Sequence, residues 1–252
     1  MNAVTKSQSL KARLHAGEVL RGLFVPTYDA TLCEFVASLG WDLLIADAEH
    51  SAIDTKDMEN IARACERRGS VPTARVPLST PADISRFLDA GARAVMIPFV
   101  ESAADAARAG SFMKFAPQGR RGLGAPRCGG FGGDGPAQQF VSRENEETLL
   151  IVQIETAAGL ERLDEIVNVA SVDVVFVGPS DLSLSLGVPQ QWDHPTFLHA
   201  VDRVAVASLR AGKVFGAYYS QLDQLRWYRS LGARVLVTAL EDLIIEGSKG
   251  FR

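Results

Sequence analysis

Residues 149–187 read LLIVQIETAAGLERLDEIVNVASVDVVFVGPSDLSLSLG. Two short apolar runs, 149–154 and 173–177, each give way to a polar loop with a carboxylate, Glu155 after the first and Asp181 after the second. The runs are consecutively apolar rather than alternating, as in strands of a parallel sheet buried on both faces. The same rhythm extends in both directions. Further runs at 22–25, 41–46, 71–74, 94–97, 214–217 and 234–237 bring the number of expected strands to eight, with amphipathic stretches at 31–39, 56–68, 82–88, 103–113, 197–209 and 222–230 between them. Gly40, Gly69, Gly91, Gly212 and Gly232 follow helical stretches, where glycine permits the left-handed turn that closes a helix. Alternating strands and helices predict a parallel sheet. Eight such units in 252 residues predict one α/β domain, a (β/α)8 TIM barrel, a fold that usually takes about 250 residues.

Two segments stand outside the rhythm. Residues 1–17 are expected to form an N-terminal helical segment. Residues 117–139 hold eight glycines and predict a long loop. Loops of this length commonly serve as lids or binding segments, and a flexible excursion without a role is the alternative. Neither the dinucleotide fingerprint nor the P-loop spacing occurs.

Composition narrows the function classes. Apolar residues make up 47% of the chain and charged residues 22%, the proportions of an ordinary globular protein. A net charge of −4 with scattered Lys and Arg leaves no basic face for nucleic acid. The densest basic group is Arg120, Arg121 and Arg127, either a solvated loop or an anion-attracting rim. No apolar run approaches the roughly 18 residues needed to span a bilayer, and the first twenty residues lack the apolar centre of a signal peptide. The three cysteines, Cys33, Cys65 and Cys128, show no C-x-x-C spacing, so a reduced, cytoplasmic protein is expected.

In a closed parallel barrel the C-terminal strand ends share one rim, so polar residues distant in sequence meet there. Asp47, Glu49, His50, Arg75, Gln153, Glu155, Ser180 and Asp181 all fall where expected strands end. Glu155 and Asp181 lie 26 residues apart on successive strand ends. Neighbouring carboxylates repel unless a cation or proton lies between them, and hard oxygen ligands suit Mg²⁺ or Mn²⁺. The alternative is a pair of ordinary loop carboxylates, one capping a helix begun at Thr156 or Leu182. His50, beside Asp47 and Glu49, has the setting of an acid/base group, since a carboxylate raises imidazole basicity; a loop histidine satisfied by backbone is the alternative. Arg75 in a barrel mouth needs an anion, either Asp47 or Glu155 or a substrate oxyanion. None of the six lysines sits in the C-terminal half of an expected strand, which disfavours imine chemistry.

The stretches LLIADAEHSAID, TARVP, GARAVMIPFVESAADA, APQGRRGLG, VQIETAAGLERLDEI and VFVGPSDLSLSLG followed by HP, in this order, resemble the metal-dependent pyruvate aldolases. That family includes 4-hydroxy-2-oxoheptanedioate aldolase and 2-keto-3-deoxyglucarate aldolase, within a superfamily that also holds citrate-lyase-like enzymes. The resemblance covers nearly the whole chain. It implies a barrel whose last helix is exchanged between subunits of a homohexamer, a trimer of dimers, and a divalent ion (Mg²⁺ or Mn²⁺, with Co²⁺ a third candidate) held by Glu155 and Asp181. It further implies that His50 and Asp47 form the acid/base dyad with Glu49 beside them, that Arg75 stabilises an enolate, and that Gln153 with Gly178, Pro179 and Ser180 holds the pyruvate carboxylate. The implied reaction is reversible cleavage of a 4-hydroxy-2-oxo acid to pyruvate, or a related 2-oxo acid, and an aldehyde. A decarboxylase of oxaloacetate type is the nearest rival, and a non-catalytic barrel a more distant one. The chain departs from the family pattern at Ala48, near Ala239, and after Gly124 in the loop expected to face the aldehyde end of the pocket.

Overall fold

Eight parallel strands close on themselves in sequence order, β1 to β8, with β8 paired back to β1. The computed structural model describes residues 9–27, 29–77 and 81–251. The elements in the first half are α1 (Leu10–His15), β1 (Leu20–Val25), α2 (Ala30–Ser38), β2 (Leu43–Asp47), α3 (Thr55–Arg68), β3 (Val71–Arg75), α4 (Pro81–Ala90), β4 (Ala94–Ile97) and α5 (Ala103–Met113). A 3-10 turn (Arg127–Gly132) leads to α6 (Ala137–Glu147), β5 (Leu149–Ile154), α7 (Ala157–Glu161), α8 (Leu163–Val167), β6 (Val174–Val177) and α9 (Pro179–Ser185). The last elements are α10 (Pro195–Arg210), β7 (Val214–Tyr218), α11 (Leu222–Ser230), β8 (Val235–Ala239) and α12 (Leu240–Lys249). All eight expected strands form. Of the expected N-terminal helical segment, α1 is helical, and residues 1–8 lie outside the described residues.

The strands bury both faces, with a period of two. Leu43 and Ile45 of β2, Ala94 and Met96 of β4, Leu149 and Ile151 of β5, and Val174 and Phe176 of β6 belong to one buried cluster inside the barrel. The alternate residues Leu44, Ala46, Val95, Leu150, Val152, Val175 and Val177 pack outward against the helices in a second, larger cluster. Burial of a leucine- or valine-sized side chain contributes about 1.5–3 kcal/mol, so a one-residue slip of any strand would expose or misplace several such groups at once. Space inside is tight: a Cβ on Gly216 would lie 2.8 Å from the Phe176 ring, so β7 carries glycine where the phenyl group passes. The inward series ends in a polar layer. The next inward steps are Asp47, Arg75, Gln153 and, one residue past β5, Glu155, with Tyr218 and Ala239 closing β7 and β8. Asp47 and Arg75 are register partners across β2 and β3.

The glycine-rich segment does not reach that rim within one chain. It connects α5 to β5, so it belongs to the end where strands begin. There Arg121 is fully buried between Glu144 and Asp89, Arg93 pairs with Glu144 and Glu147, and Arg127 pairs with Glu66 of α3. The sequence placed this loop at the aldehyde end of the pocket; the order of connections puts it at the opposite face. Arg121 and Arg127 of the loop are thus matched by carboxylates of their own chain, while Arg120 lies over the Phe112 ring, and α6 begins inside the expected loop, at Ala137. Among the described residues no helix is long and apolar enough to cross a membrane.

Candidate active site

A cavity of about 230 Å³ opens at the C-terminal strand ends, lined by Asp47, His50, Arg75, Gln153, Glu155, Gly178, Pro179, Ser180 and Asp181 among others. It is smaller than the roughly 300–1,000 Å³ of drug-sized sites, a volume suited to a small acid rather than a nucleotide. A larger hollow of about 480 Å³ lies between α8 and α10, but it is an open surface groove away from the polar layer. Nine of the ten residues singled out from sequence meet in the smaller cavity. The tenth, Glu49, sits just behind it.

The β2 and β3 ends form one charged unit. Arg75 Nε and Nη2 donate to Asp47 Oδ1 and Oδ2 at 3.0 and 2.6 Å, a forked pair, and Nε also lies 3.2 Å from Glu49 Oε2. The Phe24 ring stacks against the guanidinium, 4.5 Å from its carbon to the ring centre. Asp47 Oδ1 additionally accepts from the backbone N–H groups of Glu49 and His50, which folds the loop back over the strand end. Burial pushes the Asp47 carboxyl up, but the Arg75 hydrogen bonds and charge outweigh it and hold the group below its ordinary range. Glu49 moves the other way, because burial, with Asp47 and Asp181 adding to it, exceeds the opposing pull of Arg75 and His50.

His50 differs from expectation. Its ring lies beside Glu49, with Nε2 3.8 Å from Oε2, and its side chain is 59% exposed. Asp47 touches His50 only through the backbone N–H. The Asp47 carboxylate is spent on Arg75, so the neighbour able to orient the imidazole is Glu49.

The β5 and β6 ends form the second unit. Glu155 is 2% exposed, accepts the Phe99 N–H at 2.7 Å on Oε1, and accepts Gln153 Nε2 at 2.9 Å on Oε2. Phe99 reaches this position with a left-handed backbone, φ 51°, which is strained for a residue with a side chain. Burial pushes the Glu155 carboxyl up to about 7, with the charges of Glu49 and Asp181 reinforcing it and the Phe99 N–H and Arg75 opposing it. Gly178, before α9, allows β6 to pass close by: a Cβ there would lie 2.2 Å from Glu155 Oε2 and 3.1 Å from Gln153 Nε2. Pro179 opens α9 at the first helical position, where its missing N–H costs nothing. Asp181 sits in the first turn of the same helix.

Four carboxylates, Asp47, Glu49, Glu155 and Asp181, thus gather at one rim with the Arg75 guanidinium among them, paired with the first two. Among the described residues no three His, Cys, Asp or Glu side chains form a ready-made metal cage. Two facing carboxylates still fit a hard divalent ion of the Mg²⁺ type, which keeps several waters and takes one or two protein carboxylates. Two observations favour such an occupant. Burial raises the Glu155 carboxyl, with the charges of Glu49 and Asp181 adding to it, so a cation there would offset a costly buried charge, and Gln153 Oε1 is buried without a hydrogen-bond partner among the described residues, a costly state unless a donor from substrate or water meets it.

Sequence reading missed Phe24, Pro26, Phe176, Tyr218, Ala239 and Glu241, which line the same cavity. For Phe24, Phe176, Tyr218 and Ala239 the signal was present, since each occupies an inward position at a strand's C-terminal end. The Phe99 N–H has no such signature.

The family model described as HpcH/HpaI aldolase/citrate lyase matches residues 20–242. A 2-keto-3-deoxy-L-rhamnonate aldolase of Escherichia coli is 32% identical over 250 residues, spanning 97% of this chain and 91% of that protein. A hydroxypyruvate/pyruvate aldolase of Paraburkholderia phytofirmans is 35% identical over 244 residues, spanning 94% and 93%. Among solved structures, an HpcH/HpaI aldolase/citrate lyase family protein from Burkholderia cenocepacia superposes with a TM-score of 0.89 at 34% identity, covering 96% of each chain.

Proposed function

The chain belongs to the HpcH/HpaI aldolase/citrate lyase family, and from that premise we propose that it is a divalent-metal-dependent aldolase that cleaves 4-hydroxy-2-oxo acids reversibly to pyruvate and an aldehyde. The observation that carries the reading is the pairing of two units on one rim: the Glu155 and Asp181 carboxylates with the orphaned Gln153 oxygen, and the Arg75–Asp47–Glu49–His50 cluster facing them.

Glu155 and Asp181 would hold the ion, Mg²⁺ or Mn²⁺, which supplies Lewis-acid stabilisation of the charge arising on the 2-oxo acid. His50, exposed to the cavity and backed by Glu49, takes the proton of the 4-hydroxyl as the C3–C4 bond breaks and the aldehyde forms. The electrons of that bond remain on the pyruvate fragment as its enolate, which then accepts a proton at C3. Arg75, held rigid by its fork to Asp47, stands ready as a fixed positive group toward that enolate and has no need to reorganise during the reaction. Gln153 and the backbone at Gly178, Pro179 and Ser180 seat the pyruvate carboxylate. Asp47 therefore acts through Arg75, while Glu49 takes the place beside the imidazole.

We further infer a homo-oligomer. Helix α12 shows Leu243, Ile244 and Ile245 to solvent at 41, 61 and 58% exposure, an apolar face suited to a second copy. The unpaired cysteines suit a reducing cytoplasm.

Proton NMR of pyruvate in D₂O tests the reading without a choice of aldehyde. Protein treated with chelator and then given Mg²⁺ or Mn²⁺ is expected to exchange the pyruvate methyl protons, and the chelated protein is not. Folded, metal-loaded protein that exchanges none of them overturns the proposal.

A further inference from the structure

The strand order divides the cavity into three sectors. β5 and β6 bring Gln153, Glu155 and Asp181; β2 and β3 bring His50 and Arg75; β7, β8 and β1 bring Tyr218, Glu241 and Phe24 on the remaining side. A 4-hydroxy-2-oxo acid with its first two carbons at Glu155 and Asp181 and its 4-hydroxyl at His50 must run its remaining carbons along the third sector. That sector becomes the wall met by the aldehyde.

The wall has a definite chemistry. The Phe24 and Tyr218 rings lie 6.2 Å apart and tilted by 49°, offering an apolar surface to carbon-bound hydrogens. The Tyr218 hydroxyl is engaged, donating to Asp242 and so tying β7 to the first turn of α12. Glu241 occupies the same turn, is exposed, and has no cation against it among the described residues. Its charge reaches Tyr218, where it adds to burial and to Asp242 in raising the phenol. Nothing in the described lining offsets a second negative charge here. The Arg75 charge is already matched by Asp47 and Glu49, and Glu241 with Asp242 occupies the start of α12, the end of the helix that would otherwise attract an anion.

We propose that Glu241 and the Phe24–Tyr218 wall select the aldehyde: the acceptor is short and carries hydroxyl or methyl groups but no carboxylate, with Glu241 accepting a hydrogen bond from a hydroxyl and repelling an aldehyde acid. This inference rests on the aldolase reading above.

The test compares two acceptors of one carbon skeleton, glyceraldehyde and 2-hydroxy-3-oxopropanoate, in condensation with pyruvate by the metal-loaded protein. The expected kcat/KM is at least about tenfold higher for glyceraldehyde, the size of effect that one uncompensated charge produces at close range. Glu241→Gln should shrink that ratio about tenfold, and Glu241→Lys should favour the acid; circular dichroism checks that both variants fold. High salt should raise the rate with the acid and leave glyceraldehyde unaffected, because screening weakens repulsion between exposed charges. Wild-type preference for the acid, as when a second copy lends an arginine to the mouth, overturns the proposal. So does a ratio unmoved in both variants. Pyruvate methyl exchange by the wild-type protein, run without aldehyde, separates the two failures: exchange with an unmoved ratio overturns the selectivity alone, and no exchange overturns both readings.

Discussion

Replacing Gly178 by alanine tests whether the position of the Glu155 carboxylate limits the site. Gly178 has φ −90° and ψ 92°, a conformation open to alanine, so the substitution brings no backbone strain and acts through its methyl group. That methyl would lie 2.2 Å from Glu155 Oε2, where ordinary contact begins near 3.4 Å. The carboxylate must therefore retreat by about 1 Å, a displacement that can cost about 100-fold when it moves a reacting constellation. Retreat strains the Gln153 bond at 2.9 Å and the Phe99 bond at 2.7 Å, each of a class worth about 1.5–3 kcal/mol when the acceptor is charged. Loss of one such bond corresponds to roughly 10–100-fold weaker metal binding, since each 1.4 kcal/mol is about tenfold. The assay is isothermal titration with Mn²⁺, followed by pyruvate methyl exchange over the same metal range. The midpoint should move 10- to 100-fold higher, about the range expected for groups that orient metal ligands, with reduced exchange at saturation. Gly122→Ala is the control, because a Cβ there meets nothing within 4 Å. A Gly178→Ala protein with an unchanged midpoint and unchanged exchange refutes the reasoning.

Four other expectations concern stability, charge and assembly. Arg75→Ala leaves Asp47 buried without its counter-charge, which should cost about 3–5 kcal/mol of stability and lower turnover by about 10²–10³ while metal titration stays near wild type; unchanged turnover sinks the role given to Arg75. Because Asp47 is held below its ordinary range in the folded state, its contribution is complete above that range and lost as pH falls through the lowered value. The stability gap between wild type and Arg75→Ala should accordingly narrow in acid, and a gap constant down to acid unfolding contradicts the pairing. Lys114→Met strips a donor from the Asn145 and Thr148 carbonyls and from Thr148 Oγ1, bonded at 2.7, 2.9 and 2.8 Å. It should lower stability by about 3 kcal/mol, read as a fall in Tm of roughly 2–4 °C per kcal/mol, with metal affinity kept because Lys114 lies at the far end of the barrel. Multi-angle light scattering should return an oligomer, given the exposed apolar face of α12, and a monomer would leave Leu243, Ile244 and Ile245 without the partner inferred for them.

The strands and the polar layer were legible because they depend on short-range regularities. Runs such as LLIVQI and DVVFV declare burial on both faces, and Gly69 closes α3 in the left-handed conformation, φ 80°, as its position after a helical stretch suggests. Once eight such runs are recognised, the convergence of Asp47, Arg75, Glu155 and Asp181 follows from the barrel itself. The errors fell where position depends on more than the strand. The resemblance pairs His50 with Asp47, yet the Asp47 side chain has a stronger partner in its register neighbour Arg75, which leaves the imidazole beside Glu49. The resemblance sets the glycine-rich loop toward the aldehyde end of the pocket, and its composition carries no information about which end of the barrel a connection occupies; within one chain the order of elements places it where strands begin.

What the sequence by itself determined was the alternation of elements, the burial of the strands on both faces, and the carboxylates at the strand ends, since each is set by the burial preference and backbone freedom of residues close along the chain. Closure decided the rest. Only when β8 hydrogen-bonds to β1 do Phe24, Tyr218 and Glu241 become one wall, and only the packing of β4 against β5 brings the Phe99 N–H onto Glu155. Those contacts join residues far apart in the chain, and their geometry arises from strand tilt and register summed around the ring, a property no local stretch contains.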